Sequence, residues 1–170
     1  MRKMAKDDLT TLEILSIAIK SEIDAVKLYT KMKDMVEAQD LKEKMDFLIS
    51  QEEKHEQILT EAYNKKFPEV KLALPPKSIV PMIDDVLSRD ASLKELFDAG
   101  MTAEKMAEEF YSDLAKKSND LAARQVLTYM ANMEKSHYAI LEAEWNQIEM
   151  RSSEDAKKFL ESDGLLSMGP

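Results

Sequence analysis

The sequence predicts an all-α protein, a four-helix bundle of two duplicated helical hairpins joined by a long crossover, with a short C-terminal helical tail. Three observations carry this. Of 170 residues only three are glycine and five proline while 34% are charged, and helix formers fill every long segment. Glu52-Glu53-Lys54-His55 returns as Glu134-Lys135-Ser136-His137 at an offset of 82, and the same offset carries Glu13 to Glu95, Glu22 to Glu104, Ala25 to Ala107 and Tyr29 to Tyr111. Apolar residues also recur every three or four positions through four long stretches, the spacing of one helix face. A chain of this length suits one domain with a real core. We place it at 10–150, between a tail at 1–9 and an extension at 151–170.

The first helix is expected from Thr10 to about Val36, opened by the capping-box pair Thr10 and Glu13. Its apolar stripe runs Leu15, Ala18, Ile19, Val26, Tyr29, Met32 and Val36, and Glu22 interrupts it. After a break near Glu37 to Asp40, with Asp40 the expected N-cap, a second helix runs to about Asn64. Its stripe is Leu41, Met45, Leu48, Glu52, His55, Leu59 and Ala62, and the spacing of three points Glu52 and His55 the same way. Residue 37 is the midpoint of Glu22 and Glu52, so each arm of the hairpin is about 15 residues or roughly 22 Å long and the two carboxylates meet at one height.

Residues 65–90 carry Pro68, Pro75, Pro76 and Pro81 and are the least helical part, with a turn or two of helix in 82–88. Helix connections need only a few residues, so this segment reads as a crossover the length of the bundle; exchange of hairpins between two chains would use the same segment. Ser92 and Glu95 repeat the capping box for a third helix reaching about Lys117, with Phe97, Met101, Glu104, Ala107, Tyr111 and Leu114 on one face. Ser118-Asn119-Asp120 forms the turn, and Asn119 is the midpoint of Glu104 and Glu134. The fourth helix, about Leu121 to Met150, presents Leu127, Met130, Glu134, His137, Leu141 and Ile148. Beyond it, Ser152-Ser153-Glu154-Asp155 predicts the start of a separate short helix ending near Gly164, docked through Phe159 and Leu160.

Charges on an apolar stripe must be paired, protonated or metal-bound. A single Glu-x-x-His on a helix is more often a solvated polar pair. Here both copies lie on apolar faces, each with an upstream glutamate at the same distance, and together they use both histidines of the chain. Glu22, Glu52, His55, Glu104, Glu134 and His137 thus form the four-glutamate, two-histidine ligand set of a di-iron or di-manganese site in a helical bundle. Two carboxylates about 4 Å apart repel by about 4 kcal/mol at an effective dielectric near 20. Two divalent cations cancel the four negative charges. Oxygen donors with one imidazole per metal suit iron or manganese better than structural zinc, which usually recruits thiolate. Tyr29 and Tyr111 each lie seven residues beyond a ligand glutamate, where a phenol donates a hydrogen bond or an electron, or packs with a buried hydroxyl partner. Glu53 and Glu56 fall off the stripe and read as solvated; Asp84 and Asp85 read as a turn or helix cap.

Composition narrows the function classes. A net charge of −9 disfavours nucleic acid and anionic membranes as partners. With no cysteine there is no disulfide, zinc ribbon or thiolate nucleophile, and the twelve methionines stand as soft core filler. No apolar run approaches membrane-spanning length, and no secretory apolar segment follows the basic start, so a cytoplasmic location is expected.

The segments Glu22-x-x-Ala25-x-x-x-Tyr29, Glu52-x-x-His55, Glu104-x-x-Ala107-x-x-x-Tyr111 and Glu134-x-x-His137 resemble the rubrerythrin branch of the ferritin-like superfamily, over about residues 10 to 150. The resemblance implies a ferritin-like bundle with two iron ions per chain, manganese being the alternative, reacting with hydrogen peroxide or dioxygen. It implies Glu22 and Glu104 as terminal ligands, Glu52 and Glu134 as bridges, and His55 and His137 capping one metal each. It also implies a homodimer. The chain departs from the family pattern twice. It has no cysteines for a rubredoxin-like domain, so the electron donor is expected to be a separate protein such as a rubredoxin. Where typical rubrerythrins carry an extra glutamate three residues after the third-helix ligand, this chain has Ala107, which resembles the symmetrical bacterioferritin centre. Unlike bacterioferritin, Glu53 stands in place of the haem-holding methionine, so no haem is expected. The alternatives are a ferritin-like ferroxidase or storage protein, and a helical interaction protein whose metal serves only stability.

Overall fold

The computed structural model describes residues 10–162, with side-chain surroundings to Lys158. Among the described residues every regular element is a helix: α1 (Thr11–Met35), α2 (Gln39–Lys66), α3 (Pro81–Ser88), α4 (Leu93–Lys117) and α5 (Leu121–Ser162). The 1–9 tail, the docking expected of Phe159 and Leu160, and the helix end near Gly164 lie outside what is described.

Helices α1 and α4 begin alike because their first residues are copies of one cap. Thr10 and Ser92 accept the backbone N–H of Glu13 and Glu95, and each glutamate takes the N–H of its cap residue. Two otherwise orphaned donors are satisfied at each start. Helix α2 starts differently. Its N-cap is Ala38, which offers no side-chain bond, and the expected cap Asp40 sits in the first turn, where its charge complements the positive end of the helix dipole. The register of its buried face also departs from expectation at the C-terminal end: Tyr63 is buried and Ala62 is exposed. The aromatic ring, with far more surface to hide, takes the inward position.

The turns at 36–38 and 118–120 fall where the ligand midpoints put them. Within each hairpin the helices pack along their length, α1 on α2 and α4 on α5. The hairpins then meet along α1 and α4, and more sparsely along α2 and α5. Apolar layers fill the bundle on both sides of its polar centre. One holds Leu28, Met32, Met45, Leu48, Phe97 and Leu141; the other holds Ile19, Leu59, Tyr63, Phe110, Tyr111 and Met130. Each such side chain contributes about 1.5–3 kcal/mol when fully buried.

The crossover runs outside α1. Ala73, Leu74 and Pro75 face Leu12, Ser16 and Ile17 across a shallow hollow. At the other end Lys31 Nζ donates to the carbonyls of Val86 and Arg89 at 2.7 and 2.6 Å. Ser16 and Lys31 are about 22 Å apart along the helix at 1.5 Å per residue, so the segment spans the bundle. Pro81 opens α3 at a position where its missing N–H costs nothing. Asp84 accepts the N–H of Ser78 at 3.0 Å, a local capping role.

Helix α5 corrects the expected tail. It continues unbroken to Ser162, and Ser152 lies inside it with its hydroxyl bonded back to the Ile148 carbonyl. That back-bond occupies the side chain that would have capped a new helix. At about 1.5 Å per residue α5 outruns its partner α4 by several turns.

Candidate metal centre

Four helices each send one glutamate inward at the same level. Glu22, Glu52, Glu104 and Glu134 are 1–3% exposed, and His55 and His137, one turn after Glu52 and Glu134, are 1% and 0% exposed. Their donor atoms form two groups, Glu22, Glu52, His55 and Glu134 in one and Glu104, Glu52, Glu134 and His137 in the other, with the atoms of each within 4.8 Å of one another. Glu52 and Glu134 belong to both. The structure therefore brings together all six residues singled out from the sequence, and makes two of them common to adjoining sites.

The histidines aim the same nitrogen inward. His55 Nδ1 lies 3.1 Å from Glu52 Oε2, 3.1 Å from Glu134 Oε1 and 3.9 Å from Glu22 Oε2. His137 Nδ1 lies 3.1 Å from Glu134 Oε2, 2.7 Å from Glu52 Oε1 and 3.7 Å from Glu104 Oε2. The imidazoles stack with centroids 5.7 Å apart. This is the duplication expressed as a near two-fold arrangement about the centre.

Tyr29 and Tyr111 are buried and close the opposite side, but crosswise. Tyr29 Oη donates to Glu104 Oε1, and Tyr111 Oη donates to Glu22 Oε1. Each phenol serves the glutamate of the other hairpin, so two buried hydrogen bonds tie α1 to α4 through the centre.

The electrostatics are those of a site crowded with acid. Burial, then the charges of Glu134 and Glu52, push the Glu22 carboxyl well above its usual range, and burial with the Glu134 charge does the same to Glu104. Burial also acts on Glu52, but the close imidazoles of His137 and His55 outweigh it and hold that carboxylate down at about 2. Burial alone would lower both imidazoles. Instead the close carboxylates of Glu134 and Glu52 raise His55 to about 9, and those of Glu104, Glu134 and Glu52 raise His137 to about 12. Burial, followed by the Glu22 charge, pushes the Tyr111 phenol up, so it stays a donor. Without metal, protons do the work of cations.

That substitution is incomplete. Glu52 Oε1, Glu134 Oε1 and both imidazole Nε2 atoms are buried without a hydrogen-bond partner; the 2.7 Å approach of Glu52 Oε1 to His137 Nδ1 lacks hydrogen-bond alignment. Orphaned carboxylate oxygens in a dry core call for a cation. Each group offers three carboxylates and one imidazole, a hard donor set matching iron or manganese.

The Rubrerythrin family model matches residues 13–145, which include all six of these residues. The chain belongs to the rubrerythrin family. A solved structure of a hypothetical protein from Pyrococcus furiosus is similar at 31% identity and a TM-score of 0.71, covering 85% of this chain and 92% of that one. No curated protein matches. Membership and the paired carboxylate–histidine groups together point to a metal centre, with iron the metal the family suggests. Among the described residues no helix is long and apolar enough to cross a membrane.

Two neighbours of the centre escaped sequence reasoning. A Cβ on Gly100 would sit 3.1 Å from Leu141 Cδ1 and 3.5 Å from Tyr29 Cε1. This glycine leaves room for the Leu141 side chain against α4, while a Cβ would meet Tyr29 only at ordinary contact distance; its copy in the first hairpin is Ala18, and the available signal was a lone glycine among helix formers. Tyr129 stands edge-on to His55 with ring centroids 6.4 Å apart, yet is 49% exposed. Its copy is Phe47, and a half-exposed aromatic carries no periodic signal.

Proposed function

We propose that this rubrerythrin-family chain is a non-haem di-iron oxidoreductase that reduces hydrogen peroxide to water with electrons from a separate donor protein. The observation that carries the reading is the sharing of Glu52 and Glu134 by two otherwise equivalent donor groups. A carboxylate common to two sites is a bridge, which leaves Glu22 with His55 and Glu104 with His137 as the outer ligands of two metals. A ferrous pair held by these residues would supply the two electrons needed to cleave a peroxide O–O bond without releasing a radical.

The chain's own residues provide the rest. Glu22 and Glu104 are oriented by Tyr111 and Tyr29, which fix one oxygen of each and leave the other facing the centre. Burial of every ligand excludes bulk water and strengthens each interaction inside. Converting one peroxide to two waters consumes two electrons and two protons. A separate donor protein returns the electrons in this reading, which the lack of cysteine for an iron–sulfur relay among these 170 residues supports.

One observation favours a second reading, a ferroxidase that oxidises and stores iron. Ala107 packs into the apolar layer beside Tyr111, where an additional carboxylate would have offered an alternative ligand. Stopped-flow oxidation of the diferrous protein by equal concentrations of peroxide and dioxygen separates the two. We expect peroxide to react faster. Faster oxidation by dioxygen, followed by growth of a ferric mineral, would move the assignment to iron storage.

A further inference from the structure

The ligands are 0–3% exposed, so any ion that reaches them must pass between helices. Three of the four sides are closed. The α1–α2 and α4–α5 sides are packed along the hairpins. The α1–α4 side is crossed by the Tyr29–Glu104 and Tyr111–Glu22 bonds, and α3 packs on both helices toward the Lys31 end. The α2–α5 side has the sparsest packing, and it is the side whose helices carry both histidines.

This seam is uneven along its length. Around Phe47 it is bridged by Lys44–Glu144 at 3.9 Å and, nearer the α1–α2 turn, by Arg151–Asp40 at 3.7 Å. The other half is covered by Tyr129, a ring that is 49% exposed on one side and edge-on to buried His55 on the other. A half-exposed side chain reorients in picoseconds to nanoseconds, whereas the helix packing around it does not. We propose that the seam between α2 and α5 is the port through which divalent metal ions reach the cluster, with Tyr129 as its gate over His55. The inference rests on the metal-centre reading. A gate contributes to the barrier and not to the bound state, so it sets the rates of entry and exit while leaving affinity alone.

The test uses the metal-free full-length chain and Co(II) as probe, following its absorption by stopped-flow for uptake, by chelator challenge for release, and by titration for affinity. Removing the ring in Tyr129→Ala should speed both uptake and release by about tenfold, equivalent to about 1.4 kcal/mol of barrier, with the dissociation constant held. Tyr129→Trp, which enlarges the gate, should slow both; Tyr129→Phe, of equal bulk, and Phe47→Ala, on the bridged half, should match wild type. Wild-type rates in both Tyr129→Ala and Tyr129→Trp would overturn the port. So would a fall in affinity with unchanged uptake, because it would make Tyr129 a binding residue. Failure of wild-type protein to take up Co(II) at all would instead remove the metal-centre reading beneath it.

Discussion

Replacing Tyr111 by phenylalanine should destabilise the protein measurably while leaving its packing intact. The ring is 1% exposed and the substitution keeps its volume, so the lost term is the hydrogen bond to Glu22 Oε1. Glu22 is 2% exposed and has no water to turn to. Leaving that buried carboxyl without its partner costs about 1–3 kcal/mol, the desolvation of a group no longer bonded. For a domain of this size about 1 kcal/mol moves the melting temperature by roughly 2–4 °C, which gives a drop of roughly 2–12 °C. The duplication sharpens the expectation: Tyr29→Phe, which frees Glu104, should lose a similar amount. The assay is thermal denaturation followed by far-ultraviolet circular dichroism, on metal-free and Fe(II)-loaded protein. A shift under 1 °C in both variants would refute the reasoning, since it would mean the phenols do not bond the glutamates in solution.

The remaining predictions concern protons and metal. In the metal-free protein the raised Glu22, Glu104, His55 and His137 all bind protons more tightly folded than unfolded, so their contributions are complete at low pH and are lost as pH rises. Stability should fall as pH climbs from about 6.5, the unfolded imidazole value, through about 9, where His55 releases its proton; a chelated sample that melts later at pH 9 than at pH 6 contradicts this. Metal should reverse the slope, because its ligands must be deprotonated, and loading at neutral pH should release protons, seen as a buffer-dependent heat in titration calorimetry. Iron-replete protein should contain two metal ions per chain and melt at a higher temperature than the metal-free form; one ion with all ligands ordered is inconsistent with shared Glu52 and Glu134. His55→Ala and His137→Ala should each weaken one metal position to a similar degree, whereas Glu52→Ala or Glu134→Ala should deplete both, as read by elemental analysis.

Much of this centre was legible before any coordinates because a duplicated charge on an apolar stripe is a local signal. Helical periodicity places Glu22, Glu52, Glu104 and Glu134 inward whatever else the chain does, and the midpoint positions 37 and 119 set their heights. The caps at Thr10 and Ser92 are equally local, being bonds between residues three apart. Asp24 shows the limit. It is 1% exposed and paired with Lys20, yet nothing in its own helix marks it as buried. It lies between Ser16 and Lys31, the two ends of the stretch of α1 along which the crossover runs.

By itself, then, the sequence determined the helices, the hairpins and the identity of the inward charges, since each depends on residues within a few turns of one another. Tertiary structure alone decided how the halves engage: that Tyr29 and Tyr111 cross to the opposite hairpin, and that α2 and α5 meet loosely beneath Tyr129. Those relations join residues 75 and 89 positions apart in the tyrosine–glutamate pairs. Helical periodicity fixes which way a side chain leaves its own axis, but its partner depends on the distance and rotation between axes, which packing of the whole core sets.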